Sequence, residues 1–306
     1  MRAAILDDYQ QAWEHTAGVR RMRERIEVRI FTEPFGEVAN LKGFDVLIAN
    51  RERTQFNRAL LQALGDVKLI VQTGKHNPHI DFDAAAECGI DVVTASGGYS
   101  IGTAELTIAL ALAVTRRIPE LDAAVRRGEW LAPSTPVLHG KTFGVIGLGR
   151  VGSHAARIAK TIGMEVIAWS RSLDTRSAAA VGARYCELDD VLKEADIVSI
   201  HVSLNDATRG LIDARRLALM QPGAYLVNTA RGPIIDEAAL VAALNEGRIA
   251  GAGLDVFDTE PLPPNHPLTQ CPNVILTPHI GFPTDHGYEQ FATTACDALF
   301  AYLDNH

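Results

Sequence analysis

Short runs of strand-favouring residues alternate with helical stretches along the whole chain. In the first hundred residues, the pattern predicts strands at 2–6, 28–31, 44–48, 67–72 and 91–94. A helix is predicted between the first two strands, over about 9–24. Because such alternation is typical of α/β proteins with parallel sheets, this region is expected to form one small α/β unit.

The character of the chain changes near Gly102. One long helix is predicted from there to about Arg127, and it is too apolar for an ordinary surface helix. We expect this helix to pack between domains or against a second subunit. An irregular, proline-containing stretch follows at 130–138, and a second α/β unit starts at Lys141. Its predicted strands are 142–146, 165–169, 183–185, 197–201, 225–228, 251–256 and 274–277, and its predicted helices include 152–162, 236–245 and 285–303.

Composition narrows the class of partner. The chain has 306 residues, 47% of them hydrophobic and 22% charged, which suits two globular domains with cores of their own. Its formal net charge of −8 argues against a nucleic-acid partner, since binding to phosphate backbones depends on clustered Lys and Arg. The longest apolar stretch, near 108–114, is too short to cross a bilayer, so no membrane partner is expected.

The amino terminus and the cysteines indicate the compartment. Acidic residues follow directly after a very short apolar run at the amino terminus, so no signal peptide is expected. The cysteines are scattered without a CxxC pair, which predicts reduced thiols and no metal site. They are Cys88, Cys186, Cys271 and Cys296. A cytoplasmic protein is therefore expected.

A glycine-rich loop follows the strand predicted at 142–146 and precedes a predicted helix. It reads Gly147-Leu148-Gly149-Arg150-Val151-Gly152, the GxGxxG spacing of a dinucleotide site. Gly147 would allow the turn, Gly149 would let the backbone approach a pyrophosphate, and Gly152 would let the helix pack close to the strand. The positive end of the helix would face the phosphates, so a nicotinamide dinucleotide is the expected cofactor.

The end of the next strand bears on which nicotinamide cofactor is bound. An acid is expected there if the protein grips the ribose hydroxyls of NAD. The chain instead continues with Ser170-Arg171-Ser172, a cation between two hydroxyls. This favours the 2′-phosphate of NADP(H), with NAD(H) possible if the turn is solvent-exposed and tolerates either cofactor.

Polar residues follow three later strands of the second unit. Arg231 comes after the strand at 225–228, several acids come after the glycine-rich strand that starts at Gly251, and His279 comes after the last strand. Parallel strands bring their carboxyl ends to one edge of a sheet, so these groups should converge. A histidine exchanges protons near neutral pH, a carboxylate orients it, and an arginine binds a substrate carboxylate. Reduction of a carbonyl needs this set of groups.

These motifs together resemble one known family. In order along the chain they are 147–152, Asn228-Thr229-Ala230-Arg231-Gly232, Gly253-Leu254-Asp255-Val256-Phe257 with Glu260-Pro261, and Thr277-Pro278-His279-Ile280-Gly281. The chain is similar to the D-isomer-specific 2-hydroxyacid dehydrogenases, which include glyoxylate and hydroxypyruvate reductases and phosphoglycerate dehydrogenases. The resemblance covers most of the chain and is strongest over 141–281.

The resemblance implies a role for each residue of the site. Arg231 would anchor the substrate, Glu260 would pair with the histidine, and His279 would be the general acid and base. Asp255 would contact the nicotinamide carboxamide, unless it only caps a nearby turn. Further cofactor contacts are expected from Thr103, Val202, Thr208, Ala230 and Gly281. His201, beside Val202, is expected to be a structural residue.

The resemblance also implies the domain organisation. The fold would be two Rossmann-like α/β domains with parallel sheets and a cleft between them. Residues 1–100 plus 285–306 would form a discontinuous substrate domain, and residues 101–284 would form the dinucleotide-binding domain. The long helix near 103–127 would serve a homodimer.

Two regions of the resemblance bear on the substrate, a small 2-keto or 2-hydroxy acid. The loop at Gly74 and Lys75 would offer N–H groups to its carboxylate, and Arg51 would meet an anionic substrate. The chain departs from the family at Phe282, where smaller residues are commoner. That ring would restrict the pocket or pack on the last helix. Another departure is the missing proline after His201-Val202.

Two alternatives to a 2-keto acid reductase remain open. One is a nucleotide-sensing binding protein of the same fold, like the C-terminal binding protein corepressors. The other is a dehydrogenase of a different small anion, such as phosphite or formate. The intact set of arginine, glutamate and histidine favours the 2-keto acid enzyme.

Overall fold

The computed structural model describes residues 1–50, 53–74, 79–95, 100–171 and 174–305. The chain divides into two compact units. One consists of Met1–Tyr99 with Pro283–His306, and the other consists of Ser100–Phe282.

The strands lie close to where the alternating pattern predicts them. In chain order they are β1 (Arg2–Ile5), β2 (Glu27–Ile30), β3 (Val46–Ala49), β4 (Leu69–Thr73), β5 (Asp91–Ala95), β6 (Thr142–Ile146), β7 (Glu165–Trp169), β8 (Arg184–Tyr185), β9 (Ile197–Ile200), β10 (Tyr225–Asn228), β11 (Gly251–Leu254) and β12 (Val274–Leu276). Most of them are buried on both faces, as parallel strands covered by helices must be.

The helices complete both units. They are α1 (Ala17–Arg23), α2 (Arg58–Ala63), α3 (Phe82–Glu87), α4 (Ser100–Thr115), α5 (Ile118–Arg126), α6 (Arg150–Thr161), α7 (Thr175–Ala179), α8 (Leu188–Glu194), α9 (Ala214–Leu217), α10 (Glu237–Asn245) and α11 (Asp285–Leu303). Short 3₁₀ helices lie at Val38–Leu41, Gly232–Ile234 and Pro267–Gln270. In the part of the chain that is described, no helix is long and apolar enough to cross a membrane.

Two helices differ from the prediction: one starts later than expected, and the other is divided in two. The helix expected over 9–24 is only α1, because the Asp8 carboxylate accepts the N–H groups of Ala12 and Trp13 and folds this stretch into a turn. The long helix expected over 102–127 is broken into α4 and α5. Arg117 adopts a left-handed conformation (φ 53°), and Pro119, two residues later, can occupy only the first turn of a new helix.

The first unit is built on a parallel sheet with the strand order β2-β1-β3-β4-β5. The last helix of the chain, α11, packs against α1 of this unit. A Cβ on Gly18 of α1 would lie 2.2 Å from the backbone carbonyl carbon of Ala292 in α11, so only glycine allows this approach. The two ends of the chain therefore belong to one folded unit.

The second unit is built on a parallel sheet with the strand order β12-β11-β10-β9-β6-β7-β8. One of its faces packs on α4 and α6, and the other packs on α8 and α10. From β6 the chain runs outward to β8 and then returns to β9 on the other side of β6. This reversal of strand order opens a crevice at the carboxyl ends of β6 and β9, the usual ligand position in such sheets. The predicted α/β fold with two parallel sheets is confirmed.

A histidine lies at that crevice with an altered proton affinity. His201 follows β9, and its Nε2 lies 2.7 Å from the hydroxyl of the buried Ser199. Burial lowers the pKa of His201 to about 4. The ring is therefore neutral at physiological pH and serves the local structure, as its expected structural role requires.

The low pKa makes stability depend on pH. In the unfolded chain His201 takes up a proton below its ordinary pKa of 6.5, whereas in the folded protein it does so only near 4. The stabilisation is therefore full above pH 6.5 and is lost as the pH falls toward 4. Between about pH 7.5 and about pH 5, we expect the wild type to lose up to roughly 2 kcal/mol more of its unfolding free energy than His201→Asn loses. Urea denaturation at both pH values measures this, and an equal loss in both proteins would contradict it.

Candidate active site

The glycine loop connects β6 to α6, and each of its three glycines has a different environment. Gly147 has φ 103°, and a Cβ there would lie 2.7 Å from the carbonyl carbon of His201. A Cβ on Gly152 would lie 2.1 Å from the carbonyl oxygen of Gly147, so the helix can pack this close only without one. A Cβ on Gly149 would meet no atom within 4 Å, because this backbone borders open space. Gly147 and Gly152 are needed for folding, and Gly149 leaves room for a ligand.

The start of α6 suits an anionic group. Gly149 is the N-cap and makes no side-chain capping bond. The first turn of any α-helix leaves N–H groups without partners in the helix, and its dipole favours negative charge. Arg150 is exposed and Val151 partly buried at this end. These residues fit the pyrophosphate of a dinucleotide.

The end of β7 is tied to this loop. The N–H of Gly147 donates to the carbonyl of Trp169 at 2.7 Å. Ser170 then lies partly buried and Arg171 exposed. Ser172, the third residue of the predicted phosphate-binding turn, lies outside the described residues. The guanidinium is thus carried on a turn bonded next to the glycine loop.

A histidine and a carboxylate meet beyond β11 and β12. Nδ1 of His279 lies 2.7 Å from Oε2 of Glu260, and the two side chains are 30% and 36% exposed. An ionised carboxylate only accepts hydrogen bonds, so in this pair Nδ1 carries the proton. The bond fixes the ring orientation and leaves Nε2 as the nitrogen that can exchange a proton with a substrate.

Glu260 is held ionised in this pair. Burial by itself would raise the pKa of its carboxyl, but the hydrogen bond and charge of His279 oppose this effect. The N–H of Phe257 donates to Oε1 at 3.0 Å, and the positive charge of Arg231 acts in the same direction. Together these contacts hold the pKa of Glu260 below its ordinary value. The carboxylate therefore remains available to a protonated imidazole.

The backbone that carries His279 is held by a buried carboxylate. Asp255 is fully buried at the end of β11. Its Oδ1 accepts the hydroxyl of Thr277 at 2.6 Å and the N–H of Ile280 at 2.8 Å, and its Oδ2 accepts the N–H of Gly281 at 2.9 Å. Burial raises the pKa of Asp255, although all three donors oppose the rise.

The hydrogen bonds of Asp255 flank a residue with a strained backbone. His279 itself adopts φ 55°, a left-handed conformation that residues with a side chain rarely take. The hydrogen bonds of Asp255 on both sides of His279 compensate for that strain. The sequence analysis named Thr277 within a family motif but did not predict its bond to Asp255.

Arg231 lies on a loop shaped by Asn228. The side-chain amide of Asn228 donates to the carbonyl of Arg231 at 2.9 Å, and its oxygen accepts the N–H of Ala230 at 3.0 Å. The guanidinium is partly buried and donates through Nη1 to the carbonyl of Ala230 at 2.7 Å. The sequence analysis named Asn228 within a family motif but gave it no role, although an Asn at a strand end is a known turn former.

Other predicted cofactor contacts take part in local structure. The hydroxyl of Thr103 donates to the carbonyl of Gly281 at 2.8 Å. The hydroxyl of Thr208 donates to the carbonyl of Ser203 at 2.7 Å and accepts the N–H of Asn205 at 2.8 Å, which folds the loop after β9. Val202 lies partly buried on that loop.

Phe282 packs beside the histidine. Its ring lies edge-on to the imidazole of His279, with centroids 5.9 Å apart and an angle of 86°. From the sequence, this ring was expected either to restrict the pocket or to pack on the last helix. The contact lies within the second unit and restricts the space around the imidazole.

The predicted substrate residues belong to the first unit. Gly74 has φ 89°, and its N–H donates to the carbonyl of Ala95 at 3.0 Å. This N–H is engaged at the edge of its own sheet, so the structure does not present it as a donor for substrate. Lys75 and Arg51 lie outside the described residues.

The chain is similar to known proteins over most of its length. The family model for "D-isomer specific 2-hydroxyacid dehydrogenase, NAD binding domain" matches residues 108–281. The chain is 44% identical to a glyoxylate reductase of Aeropyrum pernix over 252 residues, which is 79% of this chain and 75% of that protein. It is 38% identical to a D-3-phosphoglycerate dehydrogenase of Methanocaldococcus jannaschii over 290 residues, which is 93% of this chain but 55% of that protein.

A solved structure is similar over the full length. The phosphoglycerate oxidoreductase from Vibrio cholerae superposes with a TM-score of 0.90 at 30% identity and covers 100% of both chains. The glycine loop and the residues from Asn228 to Gly281 all fall within the region matched by the family model. The chain therefore belongs to the D-isomer specific 2-hydroxyacid dehydrogenases.

Proposed function

We propose that the protein interconverts a small 2-keto acid and the corresponding D-2-hydroxy acid, with His279 as the general acid and base. The observation that carries this proposal is the 2.7 Å bond between Nδ1 of His279 and Glu260. It leaves Nε2 to give a proton to the carbonyl oxygen during reduction and to take one from the hydroxyl during oxidation. Bound nicotinamide would supply or accept the hydride.

Arg231 is proposed to bind the substrate carboxylate and polarise the carbonyl. Its positive charge contributes to the low pKa of Glu260, which supports a position near the acid–base pair. A guanidinium suits a carboxylate because its planar N–H groups match the two oxygens. The three side chains would thus divide the chemistry between binding, proton transfer and orientation.

The cofactor is proposed to lie along the second unit. Gly147, Gly149 and Gly152, with the first turn of α6 at Arg150 and Val151, would hold the pyrophosphate. Further contacts are proposed for Thr103, Val202, Thr208, Ala230, Asp255 and Gly281. For Asp255 such a contact would come in addition to the hydrogen bonds it already accepts.

The substrate is proposed to be held by the first unit, as a discontinuous domain of residues 1–100 and 285–306. Residues 101–284 would be the cofactor domain, and the match of the NAD-binding family model to 108–281 supports this division. Lys75 and Arg51 remain proposed substrate contacts, and Gly74 would contact the substrate through atoms other than its N–H, which is bonded to Ala95. The relatives named for glyoxylate and for phosphoglycerate indicate the range of acids to test. The cytoplasm is the expected compartment of this reaction, and the cysteines are free thiols.

The roles of His279 and Arg231 predict different kinetic losses. His279→Ala should lower kcat by roughly 10²- to 10⁴-fold, since a positioned proton donor is lost. Arg231→Ala should raise KM for the keto acid and lower kcat/KM by roughly 10²-fold or more. Glyoxylate, hydroxypyruvate and pyruvate are assayed with both reduced cofactors. His15→Ala and Arg248→Ala, at exposed positions, are the matched controls and should keep wild-type rates.

Two outcomes would count against these assignments. A His279→Ala protein of near-normal rate would remove the histidine from the mechanism. If the wild type turns over none of the keto acids, the proposed activity fails. In that case, tight binding of the dinucleotide alone would favour the nucleotide-sensing alternative.

The cofactor preference is proposed to be NADP(H) over NAD(H), because Arg171 is exposed beside the glycine loop. We expect a higher kcat/KM with NADPH than with NADH. Arg171→Ala should reduce the NADPH value by roughly 10- to 100-fold and leave the NADH value nearly unchanged, as expected for the loss of a charge-assisted bond. Arg176→Ala, an exposed arginine on α7, is the control. A wild type that prefers NADH would contradict the proposal.

A homodimer is proposed to form through α5 and the stretch after it. Within twenty residues, Ile118, Val125, Trp130, Leu131 and Val137 are all exposed, and Trp130 is 89% exposed. Such concentration of apolar surface is typical of protein interfaces. Since most soluble oligomers are symmetric homodimers, a second copy of this chain is the proposed partner.

The dimer can be tested by sedimentation. Wild type should sediment with twice the mass of the chain, and Trp130→Glu should shift it toward the monomer, because a charge in a buried apolar contact is costly. Phe82→Glu, an exposed ring in the first unit, is the control and should remain dimeric. A wild type that stays monomeric at micromolar concentration would refute the proposed dimer.

A further inference from the structure

A buried hydroxyl stands out on the most apolar helix of the second unit. Thr107 lies in the middle of α4 and is fully buried. Its Oγ1 is 2.8 Å from the carbonyl oxygen of Thr103, one turn earlier, and 2.8 Å from Oγ1 of Thr229. A buried hydroxyl destabilises the fold unless it is bonded, and a valine would fill the same space without that cost. Packing alone therefore does not account for the hydroxyl of Thr107.

The direction of these hydrogen bonds follows from the available protons. A threonine hydroxyl has one proton to donate, and a carbonyl has none. The short contact between Thr107 and the carbonyl of Thr103 is favourable only if Thr107 donates to it. Thr229 must then donate to Thr107. The chain of bonds runs from Thr229 through Thr107 to Thr103.

The same helix also holds the other catalytic loop. Oγ1 of Thr103 donates to the carbonyl of Gly281 at 2.8 Å, and Asp255 accepts the N–H of that residue. Thr229 precedes Arg231 by two positions, and Gly281 follows His279 by two positions. One continuous path of side-chain and backbone bonds on α4 thus joins the loop of the arginine to the loop of the histidine.

A second threonine on α4 shows what the helix alone requires. Thr115 is also buried, and its Oγ1 donates to the carbonyl of Ala111 at 2.6 Å, the same one-turn bond that Thr107 makes. Its bond stays within the helix, whereas that of Thr107 continues to a catalytic loop. Thr107 and Thr115 therefore share burial and the one-turn bond within α4, and they differ in the bond of Thr107 to Thr229.

We propose that Thr107 is a positioning residue for the reaction, which sets the placement of Arg231 relative to His279. The inference rests on the proposed function of those two residues. Thr107 is fully buried, so it would act through Thr229 and the backbone of the arginine loop. Small displacements of such loops are costly, since catalysis depends on sub-ångström alignment.

Three valine variants separate positioning from stability. Thr107→Val removes the acceptor and leaves the buried Thr229 hydroxyl without one, so both kcat/KM for the keto acid and Tm should fall. Thr229→Val removes the same bond but strands no donor, so kcat/KM should fall by roughly 10-fold with little change in Tm. The double variant removes both groups and should recover Tm, because apolar replacement of both partners is nearly neutral. Its kcat/KM should stay as low as that of the single variants.

Three further measurements complete the test. Thr107→Ser keeps the hydroxyl and should stay within about two-fold of wild type in kcat/KM. Thr115→Val should keep the wild-type kcat/KM. The Kd of the reduced cofactor, from its fluorescence, should stay within about two-fold in all variants, because the substrate-binding arginine is what moves.

The results that overturn the inference are distinct from failure of the proposed function. An active wild type with unchanged kcat/KM in Thr229→Val, or a double variant whose kcat/KM recovers together with Tm, refutes the positioning role alone. An equal loss in Thr115→Val refutes it too. A wild type without turnover on any 2-keto acid overturns the proposed function and with it the inference.

Discussion

The carboxylate of Asp255 lies fully buried at the carboxyl end of β11 and is bonded to three donors from the β12 end and the histidine loop. An isolated charge in that position would be strongly destabilising, and the three donors replace the water it loses. The same bonds hold His279 in a left-handed conformation and bring it to Glu260. Burial of this carboxylate destabilises the fold, but its hydrogen bonds fix the orientation of the imidazole, as is usual at a preorganised site.

The fold was largely readable from the sequence because parallel strands covered on both faces are continuous apolar runs. Every predicted strand lies within about two residues of an observed one, as such patterns allow. The helix boundaries were less readable, because single side chains decide them. The carboxylate of Asp8 replaces the start of one helix with a turn, and the left-handed Arg117, two residues before Pro119, divides another. Neither effect has a periodic signature.

The candidate site could be predicted where its residues form motifs of fixed spacing along the chain. The glycine loop and the order of Arg231, Glu260 and His279 are motifs along the chain, and the bond between the last two was expected from the family resemblance. The supporting contacts were not readable. A threonine in an apolar helix, such as Thr107, has the pattern of an ordinary core residue, and only three-dimensional neighbours reveal its bond. Which side chains hold a loop depends on non-local contacts, and a single sequence does not display them.

The contact of Gly18 with Ala292 also has a meaning for how the chain is made. Synthesis proceeds from the amino terminus, so α1 leaves the ribosome long before α11 exists, and the whole of Ser100–Phe282 is translated in between. The second unit has all its own strands and helices by then, and it can fold while the first unit still lacks its closing helix. During that interval the surface of α1 that receives α11 remains uncovered, and exposed apolar surface of this kind favours aggregation or chaperone capture.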